Sequence, residues 1–390
     1  MLSSRLDWGL TPNPLTELLR SKRRAGANIL DLTESNPTQA QLNYPDADIL
    51  RALADARGLR YEPSPAGLES AREAIAQSYY APLGVKVDPS RILLTASTSE
   101  AYSYVMKLVA NPGDELLVPR PSYPLFDFLA ALESVRVVSY PLVYDDGWSI
   151  DTDALAAAIT DRTRAVAVVN PNNPTGSFMK RRELDRLVTI CEKHRLAIIS
   201  DEVFSDYAFA PDRERLEHLV DVAPVLTFCL SGLSKVAGLP QMKLGWIVTG
   251  GLLHEQAMEG LELIADTYLS VAAPVQHATA ALLRAGEQIR EQIRLRTRRN
   301  LDLLRELTAG SVNRILPVEG GWYATLQAPL VRSAEEWALE LLDRRDTLAQ
   351  PGYFYDFERE ALLVVSLLTP EETFHEGIGR LVEYVDHTLR

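Results

Sequence analysis

From about residue 90 onward the chain repeats one pattern, and that pattern leaves few folds open. Short apolar runs alternate with amphipathic stretches. The runs are Arg91–Thr95 (RILLT), Glu115–Val118 (ELLV), Val135–Ser139, Ala165–Val169 (AVAVV), Ala197–Ser200 (AIIS), Val225–Leu230 (VLTFCL) and Leu244–Val248 (LGWIV). Ala101–Ala110 and Lys180–Arg195 between them have helical spacing. Uninterrupted apolar strands need cover on both faces, and strands joined through helices run parallel. The pattern predicts an α/β fold, with a mainly parallel sheet in a large domain and helices on both faces. Ligands of such sheets bind beyond the carboxyl ends of the strands, so the residues directly after each run are where chemistry is expected.

The flanking segments are less regular. Residues 12–24 read as a helix closed by Arg20, Lys22, Arg23 and Arg24, a basic end that suits the helix dipole. NILDLTESNPT reads as a short strand and a proline-broken loop, and a helix is expected over Asp46–Ala56. A long helix near Ala281–Leu307 precedes strands near Ile315 and Gly321–Leu326. A helix near Ser333–Asp343, a strand near Leu362–Leu367 and a final helix complete a smaller α+β lobe. The expected division is an N-terminal segment, 1–40, packing on the small domain, a large domain, 41–285, and a small C-terminal domain, 286–390.

Composition removes several classes of function. The 390 residues are 46% hydrophobic and 24% charged, the balance of a globular chain rather than a disordered one. The charge sum, 40 − 53 = −13, argues against a broad nucleic-acid footprint but leaves room for a local phosphate pocket. The two cysteines, Cys191 and Cys229, lie in apolar stretches, so a reducing cytoplasm is expected and a disulfide scaffold is not. The opening MLSSRLDWGLTPNPL has no signal-like apolar run, and no segment has the roughly 18 apolar residues that span a bilayer. The six histidines are scattered without metal-ligand spacing, so no metal site is expected.

Four polar signals sit where the sheet argument puts them. RILLT-ASTSE-AYSYV is a strand, a tight turn and a helix, with Ser97 and Glu100 at capping-box spacing. Free amides there make an anion site, although simple capping explains the turn equally well. Asn170-Pro-Asn-Asn173-Pro-Thr-Gly176 follows AVAVV, and its bland reading is a Pro/Asn turn. Asp201-Glu202 follows LAIIS. A carboxylate at the end of a buried strand needs a partner or its pKa rises, and its bland reading is a helix cap. Ser231-Gly-Leu-Ser234-Lys235 follows VLTFCL, with Lys243 and Gly245 beyond. A lysine between an apolar strand and a Gly-rich loop is desolvated into a nucleophile, whereas an isolated loop lysine is ordinarily solvated. Together they supply a phosphate nest, an asparagine, a carboxylate for a ring nitrogen and a Schiff-base lysine, the set that pyridoxal phosphate requires.

At NPNNPTG, DEVF and SGLSK the sequence resembles the class I/II aminotransferases of the fold-type I pyridoxal-phosphate-dependent enzymes, and the likeness runs from LTESNPT to the C-terminal lobe. The resemblance implies a pyridoxal-5'-phosphate-binding large domain and a smaller α+β domain. It implies that Lys235 carries the cofactor, Asp201 pairs with its pyridine nitrogen and Asn173 approaches its phenolic oxygen. Ser97 and Thr98 would bind the phosphate, and Tyr123, in PRPSYP, would stack on the ring. Tyr61, in RYEPSPAGL, matches a tyrosine lent to the partner subunit's phosphate, which implies a homodimer; Ser270 is a further candidate to reach across. The implied activity is ping-pong transfer of an amino group from an amino acid or related amine to a 2-oxo acid.

The chain departs from the family pattern at three places. Phe204 stands in DEVF where a tyrosine usually donates to the phenolic oxygen, so the lysine–cofactor linkage is expected to stay protonated to higher pH than in tyrosine-bearing relatives. Lys243 replaces a phosphate-binding arginine and lacks its bidentate fork, while Gly232 stands in a serine's place, with Ser231 or Ser234 as substitutes. Val364, two residues before Ser366, occupies the position of an arginine that clamps the substrate carboxylate, and only Arg359 is nearby. That gap keeps a C–S lyase, a decarboxylase or another amino-acid-modifying enzyme as the alternative, because the bond that breaks depends on how the substrate is oriented. A cofactor-sensing regulator is disfavoured by the negative charge and the lack of a basic helix-turn-helix, and a structural protein gives no reason for four polar sites at strand ends.

Overall fold

The computed structural model describes residues 3, 5, 12–220, 222 and 224–389. Most of the opening MLSSRLDWGLT, read above for a secretion signal, lies outside them. Fourteen strands are present among the described residues: β1 (Leu30–Asp31), β2 (Ile92–Thr95), β3 (Glu115–Arg120), β4 (Arg136–Tyr144), β5 (Trp148–Ile150), β6 (Thr163–Val169), β7 (Ala197–Asp201), β8 (Thr227–Gly232), β9 (Gly245–Gly250), β10 (Arg314–Ile315), β11 (Tyr323–Gln327), β12 (Thr347–Leu348), β13 (Gln350–Pro351) and β14 (Leu362–Ser366).

Eight of them form one sheet in the order β2-β9-β8-β7-β6-β3-β4-β5. The pairs β4/β3, β3/β6, β6/β7 and β7/β8 are parallel, while β9 runs antiparallel to both β8 and β2. The ends of β2, β3, β6, β7 and β8 therefore share one edge with the start of β9. The seven apolar runs are the strands of this sheet. The eighth strand, β5, pairs back on β4 and is only three residues long, too short to show a period of its own.

The sheet alternates its side chains between two cores, as a strand buried on both faces must. Ile198 and Cys229 pack on one side with Tyr80, Leu187 and Trp246. Ile199, Phe228 and Leu230 pack on the other with Val105 and Leu261. A second sheet, β10-β11-β14-β13, is antiparallel and carries its own core of Leu326, Trp337, Leu363, Val365 and Phe374. The chain is thus α/β, with a large mostly parallel sheet and a smaller antiparallel domain. Leu15 and Leu32 of the N-terminal segment join this smaller core, and β1 pairs in parallel with β12.

One helix, Ala273–Thr308, serves both lobes. Its Leu282, Ile289 and Ile293 belong to the large core and its Leu301 and Leu304 to the small one. The boundary expected at 285/286 falls inside this helix, because an amphipathic stripe continues across the change of core without a break in spacing.

Candidate active site

The shared edge of the sheet gathers the polar signals. Lys235 lies in the short helix Leu233–Val236, directly after β8. Its segment is fastened at three carbonyls. Tyr207 Oη donates to the carbonyl of Lys235, Arg290 Nη1 to that of Val236 (3.3 Å) and Tyr44 Oη to that of Gly238 (2.7 Å). The amine lies over the rings of Trp322 (4.6 Å to the centroid) and Phe204 (5.5 Å). Burial pulls its pKa down to about 8, and the Asp201 charge opposes the shift. A fraction of the amine is therefore neutral and nucleophilic near pH 7, as a carbonyl-condensing lysine requires.

Asp201 ends β7. Burial pushes its pKa up to about 6, against the hydrogen bonds from the Val203 amide to Oδ1 and from Tyr102 Oη to Oδ2, both 3.2 Å. The neighbouring Glu202 turns to the opposite side, where it accepts from Ser200 Oγ and the Leu219 amide and meets His218 Nδ1 at 2.9 Å. The adjacent acids thus divide their work as alternating strand positions do.

Asn173 sits in the loop after β6, where the bonds preceding Pro171 and Pro174 are cis. Its Oδ1 is buried without a hydrogen-bond partner, whereas Asn172 Oδ1 is occupied by Thr175 (2.9 Å). Gly176 turns the loop at φ +70°, and a side chain there would meet Val318 Cγ2 at 2.3 Å. After β2, Ser97 Oγ accepts from the Glu100 amide (3.2 Å), and Glu100 reaches back to the Ala96 amide (2.6 Å). The first-turn amides of this helix, Thr98–Val109, have no intrahelical acceptor.

A cavity of about 160 Å³ joins these pieces, lined by Thr98, Tyr123, Asn173, Asp201, Phe204, Ser234 and Lys235, with Ser35, Val169, Val203 and Tyr323. Four expected residues lie off its wall. The Ser97 hydroxyl is spent on its cap. Ser231 points from β8 into the buried side of the sheet, its hydroxyl unpartnered, so Ser234 is the serine that opens to the cavity. Lys243 is exposed, at φ +51°. Tyr61 is 80% exposed and lines a separate cleft with Ser270. The Ser270 hydroxyl donates to Glu100 of its own chain at 2.6 Å. Val364 packs with Trp148, Leu316, Tyr355 and Phe357, and Arg359 stacks on Tyr144 (5.2 Å), so neither brings a cation to the cavity. Lys235 is the one cation among the described lining residues.

Sequence reasoning missed Tyr102, Trp322 and Tyr323. Two glycines before an aromatic pair, Gly320-Gly321-Trp322-Tyr323, were the available signal for the latter two. A side chain at 320 would meet the Tyr207 carbonyl at 2.6 Å, so the chain must pass close to the site there. Tyr102 carries no such signal, since it reads as one more apolar position on a core helix.

The residues fit pyridoxal phosphate on three observations: a desolvated amine, an incompletely compensated carboxylate facing it, and a buried asparagine oxygen without a partner. On a sheet of this topology that chemistry is the province of the fold-type I enzymes, which act on amines with pyridoxal phosphate. Comparison with known proteins narrows the class. The chain belongs to the family of class I and II aminotransferases, whose sequence model matches residues 27–379, and it is a pyridoxal-phosphate-dependent aminotransferase. It is 30% identical to the glutamate-pyruvate aminotransferase AlaA of Haemophilus influenzae, over 92% of this chain and 91% of that one. It is 34% identical to the AlaA of Escherichia coli K12, over 72% and 69% of the two chains. An aminotransferase structure from E. coli superposes with a TM-score of 0.85 at 26% identity, covering 99% and 98%. An alanine aminotransferase from Pyrococcus furiosus shares the fold, with a TM-score of 0.86 at 22% identity, covering 99% and 100%. These relatives are aminotransferases, and the lyase and decarboxylase alternative is not favoured.

Proposed function

We propose that Lys235 and Asp201 are the catalytic pair of this aminotransferase and that alanine and glutamate, with their 2-oxo acids, are the first substrates to test. The convergence of a desolvated amine and a half-buried carboxylate at one strand edge supports the assignment. The names of the AlaA relatives support the choice of substrates. Pyridoxal phosphate, when bound, supplies a carbonyl and an electron-withdrawing ring.

Each residue then has a defined task. Lys235 Nζ would hold the cofactor through its carbonyl and would be freed when a donor amine binds. The freed amine would then act as base and acid, taking the proton from the donor's α-carbon and giving it back after the shift. Asp201 would keep the ring nitrogen protonated, Asn173 would hydrogen-bond the ring oxygen, and Phe204 and Tyr123 would flank the ring, since all four line one cavity. The turn at Ser97 and Thr98, with Ser234, would cradle the phosphate, and Lys243, exposed off the cavity wall, is the residue at the position of the family's phosphate-binding arginine. Water would release the donor's carbon skeleton as an oxo acid, the amino group being retained for the acceptor that enters next, which is ping-pong order.

The working unit in this reading is a homodimer in which Tyr61 serves the neighbouring site. Its exposure beside Leu59, 90% exposed, supports an interface there. The two unpaired, buried thiols, Cys191 and Cys229, support a reducing, cytoplasmic setting. A donor added without acceptor should bleach the visible absorbance of the holoprotein, and an oxo acid should restore it. Turnover that releases sulfide or carbon dioxide instead would reject transamination.

A further inference from the structure

We propose that Tyr102 is a positioning residue for Asp201, fixing the direction in which that carboxylate meets the cofactor's ring nitrogen; the inference rests on the pyridoxal-phosphate reading of the pocket. Tyr102 is 4% exposed. Its hydroxyl stands 3.2 Å from Asp201 Oδ2. The ring is clamped edge-on against Phe126, with centroids 5.3 Å apart and planes at 88°, so the hydroxyl has one direction in which to point. The Val203 amide holds Oδ1. Each carboxylate oxygen thus has one fixed donor and keeps a lone pair for a proton on the cavity side.

Two arguments favour a role over mere packing. Among the described residues Asp201 is the hydroxyl's one hydrogen-bond partner, and phenylalanine would fill the same apolar space against Phe126 without the desolvation cost of a buried hydroxyl. The residue also lies four positions after Thr98, one turn along the helix whose first amides face the proposed phosphate site. A single rigid element therefore touches both ends of the cofactor site, through its amino end and through Asp201. Tyr102 also favours the ionised carboxylate, against the burial that pushes Asp201 up to about 6.

The test is Tyr102→Phe, measured on cofactor-free protein titrated with pyridoxal 5'-phosphate and with its 1-deaza analogue, which lacks the ring nitrogen. Affinity for pyridoxal phosphate should fall on the order of tenfold, the scale of one hydrogen bond to a charged group. Affinity for the deaza analogue should be unchanged. The 15N resonance of ring-labelled cofactor should shift toward the unprotonated nitrogen in the variant. In an Asp201→Asn background the same substitution should change neither quantity. Equal losses with both cofactors, or no loss with either, would overturn the role of Tyr102. Failure of the wild-type protein to take up pyridoxal phosphate would overturn the underlying reading instead.

Discussion

Burial acts in opposite directions on the two charged groups at the strand edge. It draws Lys235 down to about 8 and drives Asp201 up to about 6, so each is less ionised than its ordinary chemistry would make it. The cofactor-free protein bears that cost. Asp201 has an ordinary value of 3.8, so between that value and about 6 the folded chain retains a proton that the unfolded chain has released. Stability therefore falls as pH rises through the window. Near pH 7 the charged carboxylate costs on the order of 3 kcal/mol. Asp201→Asn should raise the thermal midpoint of the cofactor-free protein by a few degrees near pH 7, with the gain shrinking toward about pH 4. Calorimetry across that range checks the sign, and a lower midpoint at neutral pH would contradict it. The same substitution removes the proposed partner of the ring nitrogen, an instance of stability traded against function.

At the scale of elements, the lysine is only as well placed as the segment that carries it. Three side chains hold that segment's carbonyls, and the long helix Ala273–Thr308 passes beneath it. The approach is close at Gly286, where a side chain would meet Ala237 Cβ at 2.3 Å and Cα at 2.7 Å. Gly286→Ala should cost about 1–3 kcal/mol by overpacking. Because the strain falls two residues from Lys235, it should also weaken cofactor binding, so denaturant unfolding and a cofactor titration together check the prediction. Full stability with unchanged affinity would contradict it. The seven apolar runs were legible because a doubly buried strand writes its burial into every residue. The cavity residues after β2, β6, β7 and β8 were legible because the sheet's direction fixes where loops meet. β5 was not, since three residues carry no period, and neither was Tyr102, whose partner lies 99 positions away. Trp322 stands just before β11 of the small sheet yet packs in the large core, so it reaches Lys235 only through tertiary packing between segments far apart in sequence.

For the whole molecule, the proposed homodimer makes a geometric prediction. Within one chain Tyr61 lies outside the Lys235 cavity, beside Ser270 in its own cleft. If the sites are shared, Lys235→Ala and Tyr61→Ala spoil different subunits' contributions. Mixing the two inactive or weakened variants and allowing subunit exchange should regenerate intact sites. Statistical pairing of a two-fold dimer allows recovery up to about a quarter of wild-type activity, and no recovery after exchange would confine the site to one chain. The proposed chemistry rests on one covalent attachment, at Lys235 on the edge of the large sheet. Borohydride reduction of the cofactor-loaded protein, followed by digestion and mass analysis, tests it directly. A single pyridoxyl-modified peptide containing Lys235 is expected, and a label on any other lysine, or none, would contradict the assignment.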